Sequence, residues 1–133
     1  MPEEPGNLTV LKFDPTKSFA ERLTIFETIN IQSNNISPDN ATSAKWSPDG
    51  KFIATTSRYN GDVKGFSKVF AFDPTKPKDE RLTEIGSYDT STALPNSTDW
   101  DTIGKYVATG GFGGVFPEIN VLLLCQGTVG PCP

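Results

Sequence analysis

Short runs of alternating apolar and polar residues, each bounded by turn-forming residues, make up most of this chain. Alternation with a period of two predicts half-buried β-strands rather than helices. Two clear examples are LTVLKF from Leu8 and SKVFAF from Ser67. Each run leads into Asp-Pro-Thr-Lys, where Pro presets φ and Asp can accept a hydrogen bond from the backbone downstream. The pattern therefore predicts an all-β chain of short strands joined by tight turns.

Two blocks of sequence occur twice and in the same order. FDPTKSFAERLT begins at Phe13 and FDPTKPKDERLT begins at Phe72, with nine of twelve positions identical. WSPDGKFIATT begins at Trp46 and WDTIGKYVATG begins at Trp100. The first pair lies 59 positions apart and the second 54, and the difference falls in the connection before Trp46, where we predict a longer loop at 33–42. Self-similarity at such a period is the signature of a repeat architecture.

Each repeat is predicted to contain four strands, labelled a to d. The run at Leu8 is a strand c, and it is followed by d at 22–31, then a to d at 43–46, 51–56, 67–72 and 81–88, and then a to c at 97–100, 105–109 and 118–124. A glycine-rich b–c loop is predicted at 110–114. The order c-d, a-b-c-d, a-b-c predicts an incomplete unit at 7–32, a complete unit at 43–89, an incomplete unit at 97–124, and a tail at 125–133 without a strand.

The hairpin at 43–56 resembles the first hairpin of bacterial WD-type and TolB-type β-propeller blades, because a strand ending in WSPDGK is followed by an apolar strand ending in Ala-Thr. The copy at 97–111 is a looser match, and the repeat spacing exceeds the ~40–45 residues usual for WD repeats. The resemblance covers most of 8–124. It implies an all-β fold of about two four-stranded antiparallel propeller blades, forming an incomplete propeller.

Four aromatic residues stand at repeat-equivalent positions: Phe13 matches Phe72, and Trp46 matches Trp100. A tryptophan could in principle stack on a ligand. Because these residues recur at the same place in each repeat, we instead predict that all four are core anchors that pack between blades.

Composition and charge narrow the classes of partner. The 133 residues suit one domain, and the net charge of −4, without a run of Lys or Arg, lacks the basic surface of a nucleic-acid binder. The longest apolar stretch, at 121–124, is far shorter than the ~20 residues that span a bilayer. The first six residues are acidic and show no signal peptide. We therefore expect neither a nucleic-acid partner nor a membrane span.

The usual catalytic groups are missing from the sequence. The chain has no His, which removes Ser-His and Cys-His nucleophile pairs and the commonest zinc ligand. Asp99 and Asp101 flank Trp100, but no calcium-loop spacing accompanies them, and we interpret them as solvated turn residues. The expectation is a protein that is not an enzyme and has no cofactor or metal.

Both cysteines lie near the end of the chain, at Cys125 and Cys132. The turn-prone residues between them would allow a local disulfide in an oxidising compartment, and two free thiols are the equal alternative.

Asparagine sequons occur at Asn7, Asn35, Asn40 and Asn96, and Pro38 disfavours use of Asn35. Asn7, Asn40 and Asn96 are therefore candidate N-glycosylation sites, with chance occurrence as the alternative. Together with the cysteines they favour an extracellular or periplasmic location over the cytoplasm.

The incomplete units suggest how the protein works. About three or more repeats are needed to bury the faces of such units, and an unpaired strand edge invites strand addition. We therefore predict a non-catalytic structural or protein-interaction unit that assembles with itself head to tail, as a ring or a filament, or with other proteins. The alternatives are a propeller module from a larger hydrolase or peptidase, and a secreted, glycosylated surface or lectin-like protein.

Overall fold

The computed structural model describes residues 6–31, 39–59, 65–89, 94–113, 116–125 and 128–129. These residues form ten β-strands and one short 3₁₀ helix at Phe19–Glu21. The strands are β1 (Asn7–Phe13), β2 (Leu23–Asn30), β3 (Asp39–Trp46), β4 (Phe52–Tyr59), β5 (Gly65–Phe72), β6 (Leu82–Asp89), β7 (Leu94–Trp100), β8 (Tyr106–Gly113), β9 (Phe116–Cys125) and β10 (Thr128–Val129). In this part of the chain no helix is long and apolar enough to cross a membrane.

The strands form three antiparallel sheets, which are three blades. Blade 1 is β1-β2, blade 2 is β3-β4-β5-β6, and blade 3 is β7-β8-β9-β10. Strands a, b, c and d of blade 2 are therefore β3 to β6, and blade 1 has only c and d among the described residues. The prediction of an all-β, incomplete propeller is confirmed.

The repeated turns form for the reasons that the sequence indicates. After β1, Asp14 Oδ1 accepts hydrogen bonds from Thr16 N at 2.9 Å and Thr16 Oγ1 at 2.6 Å. After β5, Asp73 makes the same two bonds to Thr75 at the same distances. These bonds lower the pKa of both aspartates, with the side-chain bond as the largest cause. The Asp-Pro-Thr turn is thus built identically in the two copies.

Backbone irregularities also recur. A bulge places an extra residue in β2 opposite Val10 and Leu11, and another lies in β6 opposite Val69 and Phe70. A second pair of bulges lies between Ala41 and Ser43 in β3 and between Pro95 and Ser97 in β7. Bulges bend and twist a strand locally. Their recurrence shows that the copies share backbone geometry as well as residues.

Two parts of the C-terminal region differ from prediction. Gly110 to Gly113, predicted as a loop, belong to β8, because this segment pairs continuously with β9. A bare glycine backbone suits the site, since a Cβ on Gly110 would lie 3.4 Å from Ser97 Oγ. The tail, predicted without a strand, contains β10, in which Val129 pairs with Leu124. Both segments become strands because their backbones pair with a neighbouring strand, and the side-chain pattern does not predict such pairing.

The blades pack face to face through two apolar clusters. Between blades 1 and 2 lie the buried residues Leu8, Val10, Ile31, Ile53, Phe70 and Leu82, with Phe26, Ile29 and Phe72 packed against them. Between blades 2 and 3 lie Ala54, Val69, Val107 and Leu122, with Phe52, Ile85 and Trp100 packed against them. We call the face of a blade that meets the preceding blade its leading face, and the opposite one its trailing face. Each internal interface joins the trailing face of one blade to the leading face of the next.

Candidate interaction surfaces

A buried carboxylate joins blades 1 and 2. Glu27 of β2 is 1% exposed, and its Oε2 accepts hydrogen bonds from Asp79 N at 2.8 Å and Arg81 N at 3.2 Å. Its Oε1 accepts one from Thr28 N at 3.2 Å. Buried charges in proteins are tolerated when they are paired and hydrogen-bonded in this way. Asp79, with a φ of 73°, takes a left-handed conformation in the same turn.

The same contacts set the protonation state of Glu27. Burial raises the pKa of its carboxyl, but backbone hydrogen bonds from Arg81, Thr28 and Asp79 lower it, and the Arg81 charge lowers it further. The net pKa lies below the ordinary value of 4.5. Glu27 is therefore ionised at neutral pH, and its three N–H donors favour this charged form.

Arg81 reinforces this contact from the side of blade 2. Its Nη1 donates to Phe26 O at 2.7 Å, and its guanidinium lies over the Phe26 ring, 3.8 Å from the centroid. Its Nε donates to Lys76 O at 2.9 Å within its own turn. The repeat-equivalent Arg22 makes only the local bond, from Nε to Lys17 O at 3.0 Å, among the contacts described. The two arginines thus share one local contact, and only Arg81 reaches a neighbouring blade.

Sequence reasoning missed this contact. Arg81 stood out only as part of the repeat, and the residue 59 positions after Glu27 is Gly86, so the repeat offered no matching acid. A signal is nevertheless present. The alternation along β2 predicts an apolar residue at position 27, and the other copy has glycine there, so an acidic residue at this position is unusual.

The two tryptophans have different surroundings. Trp100 is half-buried between blades 2 and 3, where its Nε1 donates to Lys45 O at 3.0 Å and its ring lies 6.3 Å from that of Phe52. Trp46 is 46% exposed and touches Phe72 edge-on, with ring centroids 5.0 Å apart. The two tryptophans differ in exposure because they differ in whether a strand a of the preceding blade lies over them. Strand a of blade 2 covers Trp100, whereas blade 1 has no described strand a to cover Trp46.

The core prediction for Phe13 and Trp46 is therefore wrong for this chain. Phe13 is 62% exposed. Its counterpart Phe72 is half-buried and packs against Phe26, with the two ring centroids 6.2 Å apart. The residues occupy equivalent positions, but burial requires a blade on the leading face, and among the described residues blades 2 and 3 alone have one. Sequence equivalence determined the position of each aromatic and could not determine its burial.

Blade 1 has an uncovered apolar leading face. Its members are paired across the two strands, Leu11 with Ile25 and Phe13 with Leu23, and they are between 50% and 71% exposed. The positions 59 residues later are Phe70, Phe72, Leu82 and Glu84, of which Phe70 and Leu82 are buried in the first cluster. The exposed face has the same register as one that is buried inside the protein.

Blade 3 has an uncovered trailing face. Tyr106, Ile119 and Val121 lie on one side of the β8-β9 pair and are 40%, 81% and 67% exposed. By register, Tyr106 corresponds to Phe52 and Val121 to Val69, both of which pack in the second cluster. Contiguous exposed apolar residues of this kind mark contact surfaces.

The predicted modification sites are only partly described. Asn7 is exposed at the start of β1, and Asn96 is exposed at the bulge of β7. Asn40 lies in β3 rather than in a loop, opposite Arg58, and its side chain is outside the described residues. The side chains of Cys125 and Cys132 also lie outside them, so the disulfide stays a prediction.

The acidic residues next to Trp100 accept hydrogen bonds from backbone N–H groups in and beside the turn between β7 and β8. Asp101 Oδ1 accepts hydrogen bonds from Lys105 N at 2.7 Å and Tyr106 N at 2.8 Å, and the bond from Tyr106 is the main cause that lowers its pKa. Asp99 Oδ1 accepts one from Trp100 N at 2.9 Å. Across the described ranges no group of three or more His, Cys, Asp or Glu is arranged to hold a metal ion.

Comparison with known proteins supports the fold class. No protein-family model matches the chain, and no curated protein matches it. Among solved structures, the periplasmic gluconolactonase of Pseudomonas aeruginosa is similar, with a TM-score of 0.60 and 17% identity over 95% of this chain. The chain spans 37% of that protein's length. The likeness shows a β-propeller fold, and the described residues form three blades or parts of blades.

Proposed function

We propose that this chain is a non-catalytic assembly and protein-interaction unit built from WD-type or TolB-type blades, which joins copies of itself head to tail. The observation that carries the proposal is the pair of uncovered faces. Most apolar positions of the leading face of blade 1 and of the trailing face of blade 3 match positions that pack in the two internal clusters, as Leu23 matches Leu82 and Val121 matches Val69. In the proposed contact, the trailing face of blade 3 in one copy packs against the leading face of blade 1 in the next copy.

Such a contact is heterologous, because two different surfaces meet. It closes into a ring if the rotation per copy allows and otherwise extends into a filament. Propellers have about 4 to 8 blades, so a few copies approach the size of a closed ring. The proposed location is extracellular or periplasmic, which the periplasmic neighbour supports.

Two variants test the proposal. Ile25→Lys places a charge on the leading face of blade 1, and Val121→Lys does so on the trailing face of blade 3. Native mass spectrometry and light scattering at micromolar concentration should show oligomers for the unmodified chain and monomers for each variant. Thr102→Lys, in an exposed turn, is the matched control and should still assemble.

Mixing the two variants tests the head-to-tail geometry. Each retains one intact face, so an equimolar mixture should form a 1:1 dimer that neither forms alone. A monomeric unmodified chain would refute self-assembly, and a dimer of one variant by itself would refute the heterologous contact.

A second candidate function is a segment of a larger hydrolase. It is favoured by the neighbour, which is a gluconolactonase of which this chain spans 37%. Hydrolysis of gluconolactone by the chain above the buffer rate, lost on denaturation, would support it. An assembled chain without such activity favours the assembly unit.

A further inference from the structure

One edge of β1 has no partner strand among the described residues. Within the described residues β1 pairs with β2 alone, whereas its counterpart β5 pairs with β6 on one side and with β4 on the other. Strands at a sheet edge present a row of unpaired N–H and C=O groups that template the addition of another strand. By comparison with β5, a strand b and then a strand a would lie beside this edge of β1.

A groove lies beside β1, between this strand and blade 2. It has a volume of about 290 Å³, and its walls include Val10 and Leu11 from β1, Ala44 and Trp46 from β3, and Ile53 from β4. Four of the five are apolar residues with small or branched side chains, and Trp46 is 46% exposed at one side. The groove thus combines an unpaired backbone edge with an apolar wall.

The interior of the protein shows what fits such a groove. Around Trp100, the equivalent space holds the hairpin β3-β4, whose Lys45 carbonyl accepts the Nε1 hydrogen and whose Phe52 contacts the ring. Trp46 Nε1 has no hydrogen-bond partner among the described residues. The groove therefore lacks a carbonyl above Trp46 and a strand beside β1, and an a–b hairpin supplies both.

We propose that this groove is a docking site for a β-hairpin of the a–b type, contributed by a partner polypeptide, which completes blade 1 to four strands. By the register of β4 on β5, the docked strand b runs antiparallel to β1, with the residue equivalent to Ile53 opposite Leu11 and that equivalent to Ala54 opposite Val10. The carbonyl equivalent to Lys45 O receives the Trp46 Nε1 hydrogen bond. This rests on the proposed function, since it names the partner of an incomplete blade.

A second copy of the chain does not fit this role. Both of its a–b hairpins are already paired, since β4 holds β5 through seven residue pairs and β8 holds β9 through eight. Donating either hairpin would break one of these ladders. Head-to-tail packing of copies, as proposed above, covers the leading face of blade 1 and supplies no strand to pair with β1.

The experiment tethers a hairpin to the chain in place of its first five residues. Residues 39–59 carrying Trp46→Phe are joined through a flexible Gly-Ser linker ahead of Gly6, which holds the hairpin at about millimolar effective concentration. The control fusion adds Ala54→Pro in the tethered hairpin, because Pro removes a ladder N–H and is not accommodated in a central strand. Iodide quenching of tryptophan fluorescence reports the accessibility of Trp46.

In the unfused chain, the readily quenched fraction belongs to Trp46, and Trp46→Phe in the chain itself should remove it. In the hairpin fusion this fraction should shift to the low quenching constant of Trp100, with a blue shift of emission and a higher Tm. The Ala54→Pro fusion should behave like the unfused chain. Equal quenching of Trp46 in both fusions would overturn the proposal.

The chain alone, examined over a concentration range, separates this proposal from the assembly proposal. Oligomers that leave Trp46 quenchable support docking of a separate hairpin. Protection of Trp46 by concentration alone would overturn it, because a second copy would then fill the groove. Protection in the hairpin fusion of a chain that stays monomeric would support docking and refute self-assembly.

Discussion

The contrast between Arg81 and Arg22 offers the sharpest test of how blades 1 and 2 are joined. Both arginines donate Nε to a carbonyl five residues earlier, at 2.9 Å and 3.0 Å. Substituting either by alanine removes that local bond and the same side-chain volume. The difference between the two losses of unfolding free energy therefore measures what Arg81 alone does across the interface.

The magnitude follows from two contacts. The bond from Arg81 Nη1 to Phe26 O, at 2.7 Å, is charge-assisted and contributes about 1.5–3 kcal/mol. The guanidinium above the Phe26 ring adds about 0.5–1 kcal/mol at a half-buried site. Arg81→Ala should thus destabilise the chain by about 2–4 kcal/mol more than Arg22→Ala.

The measurement is urea denaturation followed by far-UV circular dichroism, at one protein concentration so that association is constant. The midpoints should separate while the m-values stay equal. Equal losses for the two variants would show that the interblade contacts add nothing and would refute this account of the interface. A double-mutant cycle with Phe26→Leu isolates the ring contact, which should appear as coupling of about 0.5–1 kcal/mol.

Three further predictions concern burial and pH. Glu27→Gln should destabilise the chain most at neutral pH, and because the native pKa of Glu27 is depressed, the difference from the unmodified chain should shrink as pH falls below 4.5 in acid titrations of stability. In the Val121→Lys background, which blocks the proposed assembly, Phe70→Ala should cost about 3–5 kcal/mol in urea denaturation and the equivalent exposed Leu11→Ala less than about 1 kcal/mol; similar losses would contradict the assigned packing. Gly65→Ala should lower Tm, because the added Cβ would collide with the Pro95 ring; an unchanged Tm would show that blades 2 and 3 separate easily there.

Local chemistry was readable from the chain itself. The Asp-Pro-Thr turns and the glycine turns depend on residues within a few positions of each other, and both Gly50 and Gly104 adopt a φ of 71° after the turn that the sequence indicates. The strands followed from alternation because a strand in a blade has one face toward each neighbour. Repetition of these local features was sufficient to predict an incomplete propeller.

The interblade contacts were not readable. Glu27 binds backbone N–H groups more than fifty residues away, and the local pattern marks it as an unusual acidic residue without showing which groups bind it. The glycines of β8 and the short β10 form strands because a neighbouring strand satisfies their backbone groups. Such pairing depends on which strand lies alongside.

The sequence by itself determined that this protein is made of repeated units of short β-strands joined by tight turns. It also determined that Phe13 and Trp46 occupy the same repeat positions as Phe72 and Trp100. Only the tertiary structure decided that these two are exposed while Phe72 and Trp100 are half-buried. The physical reason is that an apolar face is buried only when another face packs against it. The repeat sequence specifies one face, and a neighbouring blade is needed to exclude water from that face.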